Sequence, residues 1–358
     1  MGQDDGKVSQ VRRYLLAVLL LAACIATGHA ADIIFYNISW PRHDKATGIL
    51  EWELSASTAR PVSDTEYACS HPELYAFKLA GEGGSQVSKK DLHLRADQAS
   101  YIHGAATARA KLAGNVVAEL YGAETVTLTT NDAELEFTWN DREKLKTRKI
   151  ETNSKVTVTS ETRRLTGDGL LVFEQVSADG QQKSTLTLNK NIVMEAQVEP
   201  GAGALPDVTA SQGQPGETAG PSAVTIACLG PFVFERSDNV AHFHNHVILT
   251  HDGTTLNCQK LTLLFENTGG TNDGQLVIAG MLAEDNVTVI GAEQRFSGDR
   301  FEWNPTVGAG TLVGSPAKMH APGSVGSAER IKFDQETQVI KYIGVAAPAQ
   351  FQIDLPTE

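Results

Sequence analysis

A period of two runs through this chain. Apolar residues recur at every second position in "ETVTLTT" (124–130), "AELEFTW" (133–139), "KVTVTS" (155–160), "KLTLLFE" (260–266) and "NVTVIG" (286–291). Successive side chains of a strand point to opposite faces, so each run makes a strand with one face toward an apolar interior and the other toward water. Gly, Asn, Asp and Ser separate the runs, and helical periodicity is almost absent after the first thirty or so residues. Many strands with turn signals between them predict an all-β sandwich, barrel or jelly roll.

The pattern occurs twice. "KVTVTSETRRLTGDGLLV" from Lys155 aligns without a gap to "NVTVIGAEQRFSGDRFEW" from Asn286, at a constant offset of 131 residues. Val156 falls on Val287, Val158 on Val289, Leu165 on Phe296, Leu170 on Phe301 and Val172 on Trp303, so the same face is apolar in both copies. "GNVVAEL" from Gly114 lies at the same offset from "NHVILTH" at Asn245. Duplication at so long a period predicts two copies of one sheet unit. Gly167 and Gly298, each followed by Asp, read as turns that require positive φ. Between the copies, residues 199–222 are rich in Gly, Pro, Ala and Ser and have nothing periodic to bury, which predicts a flexible linker. The division is thus a signal peptide or membrane anchor (1–31), a first β unit (32–198), the linker (199–222) and a second β unit (223–358).

Arg12 and Arg13 precede the 14-residue apolar run "YLLAVLLLAACIAT", and "GHA" at 28–30 offers small residues for a cut. "LAAC" (21–24) also resembles a bacterial lipobox, with Cys24 as the lipidated residue. A third reading keeps the run as an uncleaved anchor, short of the roughly 20 residues of a spanning helix. All three place residues from about 31 onward outside the cytoplasm. Acidic residues outnumber basic ones 43 to 30, giving a formal charge of -13 that repels a phosphate backbone, so no nucleic-acid partner is expected. The densest basic run, "NDREKLKTRK" (140–149), contains Asp141 and Glu143 and reads as a solvated turn. Four cysteines form no disulfide framework for this length. Cys228 and Cys258 lie in strand-like segments of one region, where a bridge and two free thiols both stay open.

Metal-ligand chemistry is offered by "AHFHNHVILTH" (241–251). His242, His244 and His246 occupy alternate positions, about 6.5–7 Å apart on a strand, whereas zinc takes three or four converging ligands. The aligned copy places these histidines on Lys111, Ala113 and Asn115, and places Phe243, Val247 and Leu249 on Leu112, Val116 and Ala118. The histidines therefore fall on the mixed, solvated face. They remain the metal candidate of a cupin-like metalloprotein, an alternative reading. No G-x-S-x-G elbow occurs and no serine or cysteine has an activating local setting, so no catalytic residue and no cofactor is assigned.

"DKATGILEWELSASTARPV" (44–62), "LRADQASYIHGAATARAKLAGNVVAEL" (94–120) and "LEFTWNDREKLKTRKIETNSKVTVTSETRRLTGDGLLV" (135–172) resemble, in that order, the LptC family of periplasmic lipopolysaccharide-export proteins. "AHFHNHVILTHDGTTLNCQKLTLLFE" (241–266) and "AERIKFDQETQVIKYIG" (328–344) are similar to the related LptA family. The chain departs from the pattern in carrying Asn245-His246-Val247 where Gly-Asn-Val is usual, and in holding two units where LptC generally has one. The resemblance implies two OstA-like β-jelly rolls, each an open, V-shaped antiparallel sheet whose apolar interior shields acyl chains. It implies a non-enzymatic bridge component in the periplasm, held at the inner membrane through the N-terminal segment or a lipidated Cys24. The implied partners are lipopolysaccharide, an inner-membrane lipopolysaccharide ABC transporter, and other OstA-like proteins joined by edge-strand pairing. The groove candidates are Val126, Leu128, Leu135, Phe137, Val156 and Val158 in the first unit. In the second they are Val247, Leu261, Leu263, Phe265, Val287, Val289, Phe296, Phe301 and Trp303. A cell-envelope scaffold assembling through strand edges, without lipid, is a further alternative.

Overall fold

The computed structural model describes residues 33–43, 48–80, 87–104, 106–121, 125–139, 145–176, 182–198, 222–267, 276–334, 339–344 and 349–353. The signal or anchor segment with Cys24, and nearly all of the 199–222 linker, lie outside the described residues. Among the described residues, 21 strands form one antiparallel sheet, and no helix is long and apolar enough to cross a membrane. The first seven are β1 (Phe35–His43), β2 (Leu50–Pro61), β3 (Glu66–Ser70), β4 (Glu73–Ala80), β5 (Val87–Arg95), β6 (Gln98–His103) and β7 (Thr107–Leu120). Four long strands follow: β8 (Val126–Trp139), β9 (Leu145–Thr159), β10 (Arg163–Val176) and β11 (Gln182–Val198). The second half holds β12 (Ser222–Cys228), β13 (Phe232–Glu235), β14 (Val240–His251), β15 (Thr254–Asn267) and β16 (Leu276–Ile290). It continues with β17 (Arg295–Asn304), β18 (Ala309–Ala321), β19 (Ser324–Asp334), β20 (Val339–Ile343) and β21 (Gln350–Ile353).

The order is a meander of rungs, in which β3 pairs with β6 and β5 with β7 where a rung is broken in two. Some rungs are interrupted strands: β3 and β4 lie end to end along β2, and β12 and β13 lie end to end between β11 and β14. The two lengths that the sequence separates are therefore hydrogen-bonded through β11, and one apolar core runs from Leu92 to Phe333. Tight turns follow their chemistry. Asp252 and Gly253, at φ 46° and 78°, join β14 to β15 in the two-residue geometry whose twist matches that of the strands.

Most long strands break register once near the middle, and these breaks line up across the sheet. β7 carries Gly114 and Asn115 at φ 74° and 46°, β14 carries Asn245 and His246 at 64° and 54°, and β16 carries Asp285 and Asn286 at 64° and 59°. An extra residue with left-handed backbone bends its strand. Side chains stitch the bends together: Asn115 Nδ2 donates to Asp97 (2.8 Å), Asn191 Nδ2 to Asp168 (2.6 Å) and Asn245 Nδ2 to the Gly230 carbonyl (2.7 Å). The sheet is folded along this polar seam, so that its two arms face each other across the apolar interior. Phe296 and Phe333 show this, with ring centroids 4.6 Å apart although they pair with opposite ends of β18.

One reading is corrected here, and one that was open is decided. Gly167 and Gly298 are not positive-φ turns; they lie inside β10 and β17 and serve close packing. A Cβ on Gly298 would stand 2.6 Å from the Val313 carbonyl oxygen, and one on Gly167 3.1 Å from Leu188 Cδ1. The left-handed residue of β10 is Gly169. Cys228 and Cys258 are both free and buried, because β14 runs between their strands. Two strand spacings, roughly 9–10 Å, exceed the reach of a disulfide.

Candidate functional site

Between the arms of the first strands lies a cavity of about 330 Å³. Trp52 and Leu54 of β2, Leu74, Ala76 and Phe77 of β4, and Leu94 of β5 line one part of it. Cys69, Ala99, Tyr101, Ala108, Ala110, Leu112, Leu135 and Phe137 line much of the rest. Side-chain volume explains why space remains here. Alanines occupy several inward positions, and Leu112 faces the cavity where the aligned second copy has the fully buried Phe243. Burial pushes the Cys69 thiol up to about 11, and raises the Tyr101 phenol against the opposing charge of Arg42. The thiol is thus held neutral at physiological pH. Such a wall lowers the free energy of an enclosed hydrocarbon by about 0.8 kcal/mol per methylene taken from water.

The wall is largely apolar but not free of charge: Glu51, Asp91 and Arg109 line it as well, and one ion pair in it is buried. Arg148 of β9 donates from Nε (2.7 Å) and Nη2 (2.5 Å) to Glu174 Oε2 of β10, with side chains 11% and 7% exposed. Both residues line the cavity beside Phe137, which pairs with Arg148 across β8 and β9. This corrects the solvated-turn reading of 140–149. Residues 140–144 lie outside the described residues, and 145–149 begin β9 with Arg148 turned inward in phase with Ile150. Phase was the available signal: Arg148 precedes Ile150 by two, as Glu174 follows Val172 by two.

The groove candidates divide. Leu135 and Phe137 line the cavity. Leu128 and Val156 are buried and Val126 and Val158 half-buried on the same strands, outside the cavity lining. In the second half Val247, Leu261, Leu263, Val287, Val289, Phe296, Phe301 and Trp303 are at most 2% exposed, and Phe265 packs beside them. They fill the interior there. Trp52, Cys69, Tyr101, Arg148, Glu174 and the cavity alanines were not picked out from the sequence. Alanine carries too little hydrophobic signal, and the charged pair looks like surface until its phase is counted.

The histidine strand has its expected faces. Phe243, Val247 and Leu249 are buried, while His242 and His244 are half-buried and His246 is exposed at the seam. The His242 and His244 rings lie 6.3 Å apart, and His242 Nδ1 sits 3.1 Å from Thr262 Oγ1. Burial lowers the His244 pKa, with the neighbouring His242 and Lys260 adding to the shift. Among the described residues no three His, Cys, Asp or Glu side chains converge on one ion position.

No family model matches the chain. No curated protein matches it either. Among solved structures it is similar to the crystal structure of LptH, described as the LptA homologous periplasmic component of the conserved lipopolysaccharide transport device from Pseudomonas aeruginosa. That likeness covers 36% of this chain and 94% of LptH, at 14% identity and a TM-score of 0.31. Values of this size fix neither a site nor a partner.

Proposed function

We propose that the protein is a periplasmic component of lipopolysaccharide export that shelters acyl chains between the arms of its folded sheet and passes them toward the outer membrane. The cavity carries this reading: a largely apolar space opened by alanines between the arms of the first strands, continuous with the buried core of the second half. Carrying requires shielding and release, neither of which needs a catalytic residue, and ATP hydrolysis would come from a separate inner-membrane transporter. The order of LptC-like and LptA-like segments supports the choice of lipid. β1 supports a place in a chain of such proteins, since among the described residues it pairs with β2 alone and leaves Tyr36 69% exposed.

Photo-crosslinking amino acids placed at Trp52, Phe137 and Phe301 in cells test the reading. Lipopolysaccharide adducts are expected at Trp52 and Phe137 and not at Phe301, which sits in filled core. Absence of adducts from both cavity positions would sink it. The free edge of β1 also suits the scaffold reading, which predicts that depleting the protein leaves lipopolysaccharide reaching the cell surface.

A further inference from the structure

Glu174 is the one carboxylate among the buried polar residues described, and it stands with Arg148 in the wall of a largely apolar cavity whose other charged lining residues, Glu51, Asp91 and Arg109, are half-buried or exposed. An ion pair placed there is costly to desolvate, and packed apolar residues of similar volume would serve stability equally well. Its position suggests a different use. A guanidinium carries more N–H donors than one carboxylate oxygen can occupy, and it matches phosphate and carboxylate oxygens in geometry. The cavity, about 330 Å³, lies at the low end of ligand pockets, which span about 300–1,000 Å³. It therefore suits a single acyl chain and the group at that chain's end, rather than a multi-chain lipid whole.

Resting on the lipid-carrying reading above, we infer that Arg148 and Glu174 form an exchangeable ion pair that selects acyl chains bearing an anionic head. The tail lies along Leu54, Leu74, Leu112 and Phe137. Arg148 takes the phosphate or carboxylate of the head, and Glu174 is the built-in competitor that the head displaces. Exchanging one anion for another keeps the guanidinium neutralised, while the displaced Glu174 carboxylate, left beside a second anion, takes up a proton from solvent; that cost keeps binding selective without becoming tight, as a carrier requires. A neutral head leaves the pair closed and gains only from its tail.

Calorimetric titration of the full exported chain with tetradecyl phosphate and tetradecanol tests this. Wild type is expected to prefer the phosphate about tenfold, the size of one charge-assisted hydrogen bond. Glu174→Gln removes the competitor and should widen the preference to about a hundredfold. The paired variant Arg148→Gln/Glu174→Gln is neutral and leaves two amides that can hydrogen-bond each other; with an unchanged circular dichroism spectrum as the check on its fold, it should erase the preference. A preference unaltered in both variants would overturn the ion-pair assignment while leaving the lipid reading standing. Inorganic phosphate displacing tetradecyl phosphate as well as the amphiphile itself would overturn it too, since the tail would then be irrelevant. Failure of wild type to bind either amphiphile would overturn the lipid reading as well.

Discussion

Phe243 and His244 are adjacent in sequence and opposite in consequence. Phe243 is fully buried against Phe232, with centroids 4.8 Å apart, so Phe243→Ala should cost about 3–5 kcal/mol in denaturant unfolding. His244→Ala is expected to stay within about 0.5 kcal/mol. That contrast was legible before any coordinates, because alternation and the aligned copy assign both residues to faces. The cavity was not: it depends on what is missing, small side chains at Ala76, Ala99, Ala108 and Ala110, and a period of two records apolarity rather than volume. Buried thiols add a pH dependence. Burial pushes Cys258 from 9.0 to about 12 and Cys69 from 9.0 to about 11. Above pH 9 the unfolded chain releases these protons first, so their contribution is full below that pH and is lost as pH rises through the folded values. Melting temperatures followed from about pH 8 to pH 11 should fall less steeply in Cys258→Ala than in wild type.

At the scale of elements, the seam decides the shape of each strand. Gly230 takes φ 101° there, and a Cβ would lie 2.3 Å from the Asn189 carbonyl oxygen. Gly230→Ala should therefore lose at least about 1–3 kcal/mol from backbone strain alone. His246 holds φ 54° with an exposed side chain, so His246→Gly should stabilise by roughly 0.5–1 kcal/mol in the same assay, an outcome opposite to that of deleting a metal ligand. The aligned pairs Gly114/Asn245 and Asn115/His246 both bend left-handed, so the departure from Gly-Asn-Val keeps the bend while changing its residues. Strand existence was readable from periodicity. The bends were not, because a bulge shifts the phase by a residue or two within an otherwise regular run, and Gly167 and Gly298 drew the eye to positions that serve packing.

For the whole molecule, β11 pairs along its length with both β12 and β13, tying the two halves of the sequence into one sheet. A protease site engineered within residues 199–221 should therefore yield two fragments that still elute together from a sizing column; separate elution would mean that the halves are independent. The duplication was plain in the sequence, but its meaning was not, since a repeat of 131 residues fits two separate rolls and one continuous roll equally well. Pairing between near neighbours has a kinetic side too. When each strand finds its partner within the preceding few dozen residues, no step closes a long loop, and loop-closure entropy stays small as the sheet grows. Such a chain can fold progressively from its first hairpin, each completed rung templating the next, and can gain or lose a hairpin over evolutionary time without redrawing its topology.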